Sequence, residues 1–216
     1  DPAATDCTFL VDLAEGKKSL PDPPIASIGY QASIVITPQQ EADMDIKATL
    51  NNLLIPYTSN YAGTLLPGIR EYTVTPGEKT TTISGKGKAG LKQEENYYFF
   101  YLPVCYKGIT GKSYAYYNTS RSKNLYLPAS VDENYSYDIQ LPENLTLCTP
   151  IQEKKIDNPI GSFKITLTSE GSSLHIELAL QIKKQLITPA EYPAFRSLIT
   201  EWTDRTRKPI LFKTVQ

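Results

Sequence analysis

Between Phe163 and Ile182 apolar and polar residues alternate, and no other stretch constrains the fold as tightly. Phe163, Ile165 and Leu167 take turns with Lys164, Thr166 and Thr168, and Leu174, Ile176, Leu178, Leu180 and Ile182 with His175, Glu177, Ala179, Gln181 and Lys183. A period of two belongs to extended chain, whose successive side chains point to opposite faces. Each run is therefore read as a strand with one apolar face. The connector Ser169-Glu170-Gly171-Ser172 supplies a glycine where a tight hairpin loop often needs positive φ, so the two strands are expected to pair directly. Burying each of these apolar side chains contributes about 1.5–3 kcal/mol before entropy is subtracted, so the hairpin belongs to the core.

The same punctuation recurs upstream. Apolar runs lie at Tyr30–Ile36, Met44–Leu50, Glu71–Thr75, Thr80–Ser84, Tyr97–Leu102, Tyr114–Tyr117 and Tyr135–Leu141, separated by turn signals such as Pro67-Gly68 and Pro76-Gly77. With the hairpin this makes nine candidate strands. Fifteen Tyr and sixteen Pro, with many Thr and Ser, favour short strands and frequent turns over long helices. The expected fold is mostly β, an antiparallel β-sandwich with one C-terminal α-helix packed on it. Tyr97, Phe99 and Tyr101 against Tyr98, Phe100 and Leu102 suggest a central strand with apolar residues on both faces.

The helix is signalled by Thr188-Pro189-Ala190-Glu191, which has the form of a capping box. Tyr192, Phe195, Leu198, Ile199 and Trp202 follow at helical spacing, opposite the polar Arg196, Thr200 and Glu201. Pro193 sits too far in for that start and is suited to opening the regular helix after a preliminary turn; the helix is expected to reach about Asp204. Pro209-Ile210-Leu211-Phe212-Lys213 reads as a final strand. Residues 1–24 have no clear period and end in Pro21-Asp22-Pro23-Pro24, which suggests an N-terminal arm or linker before a domain over 25–216, with a sub-boundary conceivable near 105–115. The chain starts Asp1-Pro2 without methionine, as expected for a processed product or a piece of something longer.

Several function classes find no support. With 22 Lys+Arg against 23 Asp+Glu there is no basic excess for nucleic-acid phosphates, and no apolar run approaches the roughly 20 residues of a spanning helix. Cys7, Cys105 and Cys148 form no CxxC pair, so neither a metal nor a dithiol site is expected; reduced thiols are favoured over a disulfide between two of them. The single histidine, His175, falls on the polar side of a strand and is read as structural. Gly85-Lys-Gly-Lys-Ala-Gly90 fits GxGxxG, but no helix follows to bind a phosphate, so a flexible hairpin loop is expected there. Asn118-Thr-Ser, Asn134-Tyr-Ser and Asn144-Leu-Thr match a glycosylation sequon in a chain rich enough in Ser and Thr to produce such matches by chance. Exposed tyrosines offer an apolar face with a polar tip; Tyr106, Tyr114, Tyr116 and Tyr117 are the candidates for a glycan or peptide platform.

Four segments, Arg121-Ser-Lys-Asn-Leu-Tyr-Leu-Pro128, Tyr135-Ser-Tyr-Asp-Ile-Gln-Leu-Pro142, Ile187-Thr-Pro-Ala-Glu-Tyr-Pro-Ala-Phe-Arg196 and the terminal Pro-Ile-Leu-Phe-Lys, resemble in order and spacing a known C-terminal β region. That region is a domain of unknown function following a transglutaminase-like core in multi-domain bacterial envelope proteins, and Asp1-Pro2 resembles the junction at which the core ends. The resemblance implies a periplasmic or cell-envelope location and, as partner, a preceding transglutaminase-like core of the same polypeptide. In that core a Cys-His-Asp arrangement carries the chemistry. It implies no catalytic, cofactor-binding or metal-ligating residue in this chain. The function expected is that of an accessory domain positioning or packing against the core. A glycan- or peptide-binding module and an independent hydrolase, in which Cys105 or Cys148 would stand beside His175 and a carboxylate, are the alternatives.

Overall fold

The computed structural model describes residues 24–37, 41–52, 54, 65–106, 108–109 and 120–215. Residues 1–23 of the expected arm over 1–24, Cys7 among them, the strand at Tyr114–Tyr117 and the sequon asparagine Asn118 lie outside the described residues.

The hairpin forms as its alternation dictates. Strands β10 (Gly161–Glu170) and β11 (Ser173–Ile182) pair antiparallel with Phe163 opposite Leu180 and Leu167 opposite Ile176, and Gly171 turns between them at φ 57°. Their apolar side chains are buried and the intervening polar ones point outward. β9 (Gln152–Asn158) flanks β10, and β7 (Ser130–Gln140) pairs with β11, setting Tyr135 opposite Leu178 and Tyr137 opposite Ile176. Next comes β1 (Ile25–Ile36), then β2 (Glu41–Asn51), β4 (Thr80–Glu94), β5 (Tyr97–Phe100), β13 (Ile210–Thr214) and β8 (Leu145–Leu147). β3 (Ile69–Pro76) lies beside β4 off this path, and β6 (Leu125–Tyr126) with β12 (Leu186–Ile187) makes a separate ribbon.

The chain is mostly β with a C-terminal helix, as expected, but the antiparallel sandwich is corrected to a single mixed sheet curled into a half-barrel, ten strands along one path with β3 beside β4. One pairing, β1 with β7, is parallel, Tyr30 lying opposite Tyr135. Period-two patterning states that one face is buried, not what covers it or which way the neighbour runs. A twisted, strongly coiled sheet can satisfy the requirement by wrapping around its own inner face. That face is closed by α1 (Tyr192–Arg207), which buries Tyr192, Phe195, Leu198, Ile199 and Trp202. Glu191 precedes α1, and Pro193 stands in its first turn, where its missing N–H costs nothing. The Thr188 motif forms a turn just before the helix: the Glu191 carboxylate accepts from the Thr188 N–H at 3.1 Å and hydroxyl at 3.0 Å. Lys184, 2.5 Å away, and these bonds hold the Glu191 carboxyl down to about 2.

Two further expectations are corrected. Gly85–Gly90 is not a loop but lies inside β4. Its glycines are needed because β3 approaches so closely, next to a register shift at Ile69/Glu71, that a Cβ on Gly85 would stand 2.1 Å from the Glu71 carbonyl oxygen and one on Gly87 2.3 Å from that of Gly68. β5 is central in its pairing, between β4 and β13, yet only Tyr98 and Phe100 are buried; Tyr97 is exposed and Phe99 half-buried on the other face.

Candidate functional site

The curled sheet has two chemically distinct faces. On the solvent side of β2, β1, β7, β11 and β10 the register lines up polar rows: Thr49, Gly29, Asn134, Ala179 and Lys164 in one, Lys47, Gln31, Ser136 and Glu177 in the next. Small residues at Gly29 and Ala179 leave an open depression of about 530 Å³ between Lys47 and Lys164. A second, of about 340 Å³, lies along the same face against Ser33, Asp138, Gln140, Thr168 and His175.

His175 occupies the polar, half-buried position its alternation assigns. Its Nδ1 is 2.7 Å from Asp138 on β7 and its Nε2 3.5 Å from Glu177, which also meets Lys164 at 3.4 Å. The hydrogen bond to Asp138 raises the imidazole above its ordinary value, partial burial opposes this, and Glu177 adds to the rise. A His–Asp contact resembles part of a hydrolytic triad, but here both ring nitrogens face carboxylates, which favours the cation over a free base. We expect His175 to titrate above about 6.5 in an NMR pH series and Asp138→Asn to bring it down. Because the folded-state value is the raised one, the stabilisation is fully present below the unfolded value and is lost as pH rises through the folded one. An unchanged midpoint in Asp138→Asn would remove the interaction from the account.

The thiols stand elsewhere. Cys105 is buried beneath the sheet near Tyr30, Tyr135 and Tyr137, on the face opposite His175, and Cys148 is exposed next to β8; no disulfide joins the two. The structure thus brings a carboxylate to His175 but neither cysteine. Among the described residues no group of three or more His, Cys, Asp or Glu is placed to hold a metal ion, and no helix is long and apolar enough to cross a membrane. Tyr106 is 58% exposed, whereas Tyr114, Tyr116 and Tyr117 lie outside the described residues.

One feature of the inner face was missed from sequence. Glu133 is buried, accepting from the Ile109 N–H at 2.5 Å and the Tyr135 hydroxyl at 3.1 Å. Gly108 stands where its own Cβ would meet the Glu133 carboxylate, and the Tyr137 hydroxyl donates to the Pro103 carbonyl at 2.7 Å. These bonds tie the segment after β5 to the sheet. Burial, helped by Cys105 and, at Tyr135 and Tyr137, by Glu133, drives the Tyr30, Tyr135 and Tyr137 hydroxyls well above their ordinary value, so they remain neutral. The signal was present: carried back from Tyr135, the alternation places Glu133 and Val131 on the buried face.

Among solved structures the chain is similar to the crystal structure of a protein described as a putative protease from Parabacteroides distasonis ATCC 8503, with 31% identity and a TM-score of 0.51. The match covers 56% of this chain and 24% of that one, so the chain spans about a quarter of the length of the structure it matches. No curated protein matches the sequence. The family model described as "Domain of Unknown Function with solved-structure structure (DUF3858)" matches residues 96–212, from the turn before β5 through α1 into β13. With more than half its length inside that match, the chain belongs to the DUF3858 family.

Proposed function

We propose that this chain is a non-catalytic accessory domain of a larger, transglutaminase-like cell-envelope protein, packing against and positioning the core that carries the chemistry. The observation that carries the reading is the size of the protein it resembles: the match to the protein described as a putative protease takes up only 24% of that chain, which leaves most of it to hold other units. The placement of the reactive side chains agrees with this. His175 is bracketed by Asp138 and Glu177, and Cys105 lies on the other side of the sheet. A single extended sheet with one continuous core suits a positioning role.

The test uses the longer protein in which the domain is expected to sit. His175→Ala should leave its peptidase or acyl-transfer turnover unchanged. The domain supplied as a separate polypeptide should bind the core lacking it. A large fall in turnover at unchanged stability would place chemistry in this domain, and a core that neither binds it nor changes in stability or turnover without it would end the accessory reading.

A further inference from the structure

Tyr97, Phe99 and Tyr101 stand in a row on the solvent face of the sheet. Their alternates Tyr98, Phe100 and Leu102 are buried, whereas Tyr97 is 39% and Tyr101 43% exposed, with Phe99 half-buried between them. At the rise of extended chain the row is about 13 Å long. Its flanks are mostly polar and mixed in sign: Lys92 and Glu94 of β4 lie opposite Phe99 and Tyr97, and on the other side stand Lys213 of β13, with Thr146 of β8 beyond it, and the apolar Leu211. The Lys92 ammonium sits over the Tyr101 ring, 5.6 Å from its centroid, and covers part of one face, while the residue as a whole stays 43% exposed. At Gly90, shortly before Lys92 on β4, the space a Cβ would point into is open.

We propose that this row is a binding platform for a neutral oligosaccharide. β5 is hydrogen-bonded on both edges, so a peptide cannot add to it as a further strand. The apolar row is widened only by Leu211 beside Phe99 and is otherwise bounded by Lys92, Glu94 and Lys213, which leaves it far short of the roughly 800 Å² per partner that a stable protein interface buries. Single-stranded nucleic acid also stacks on aromatic rows, but it requires a basic groove, and here Glu94 lies beside the row with Glu95 in the adjoining turn. A sugar chain fits what remains. Its C–H faces stack on the rings, its hydroxyls accept from Lys92 and Lys213 and donate to Glu94, and mixed flank charges match a ligand without net charge. The platform is independent of the accessory role, since it needs nothing outside this chain.

The experiment is retention of the purified chain on insoluble cellulose, chitin, xylan and β-1,3-glucan, at low and high salt, beside the double variant Tyr97→Ala/Tyr101→Ala. Both side chains are exposed, and unchanged Trp202 emission verifies that the variant folds. Expected are retention of the wild type on at least one polysaccharide irrespective of salt, and binding about tenfold weaker in the variant. Retention on none of the four, equal retention of the variant, loss of binding at high salt, or tighter binding of single-stranded DNA or a proline-rich peptide would each overturn the proposal. Any of these leaves the accessory reading standing, because that reading is tested by core binding and turnover.

Discussion

Ile176→Asp is expected to abolish folding. Ile176 is 0% exposed in β11, opposite Leu167 on one side and Tyr137 on the other, on the face closed by α1. Deleting such a side chain alone costs about 2–5 kcal/mol. The carboxylate adds a larger penalty, because an unpaired charge there must either remain ionised in an apolar interior or take up a proton and still lack hydrogen-bond partners. Together these reach the about 5–15 kcal/mol by which domains are stable. The neighbouring position is the control: Glu177 is exposed on the opposite face, and Glu177→Ala should shift stability by only about 0.5 kcal/mol. Circular dichroism and a urea melt measure both. A folded Ile176→Asp with a wild-type midpoint would mean that the inward and outward faces have been exchanged.

That contrast between adjacent residues marks how far the sequence could be read. Where alternation was strong, at Phe163–Leu167 and Leu174–Ile182, strand, face and partner all followed from residue order, and Gly171 supplied the turn. β9 was missed because Gln-Glu-Lys-Lys-Ile-Asp-Asn carries almost no apolar signal; it is an edge strand, and charge at an edge discourages further pairing. β4 was cut short at Ser84 because Gly85, Gly87 and Gly90 read as loop, although two of them are there to admit the backbone of β3. The parallel contact of β1 with β7 joins strands about a hundred residues apart, and period-two patterning holds no information on that pairing.

The site features divide in the same way. Alternation put His175 on the outward face together with Glu177, two residues along the same strand, but its other partner Asp138 comes from the lateral register of β7, which single-strand reading does not specify. The aromatic row on β5 was visible as residues yet assigned to the interior, because a run of six apolar side chains looks equally like a strand buried on both faces. What leaves Tyr97 and Tyr101 open to solvent is that the sheet curls towards its other face, a property of the whole sheet rather than of β5.

The second large effect is expected at Trp202. The ring is 0% exposed, tilted against Tyr135 with centroids 5.6 Å apart and edge-on to Phe163 at 6.5 Å, so it joins α1 to β7 and β10 at one point. Its backbone carbonyl accepts from the Thr206 hydroxyl at 2.9 Å, which secures the turn that follows. Trp202→Ala should cost about 3–5 kcal/mol, since the void left among rigid aromatic neighbours cannot collapse fully. As the only tryptophan, Trp202 also reports its own surroundings, and its emission should lie well to the blue of a solvated indole and resist quenching. Trp202→Phe, which keeps an aromatic ring in place, should recover most of the loss in a denaturation series. Red, readily quenched emission together with an unchanged midpoint in Trp202→Ala would detach α1 from the sheet, and the inner face of the half-barrel would then need a cover from outside this chain.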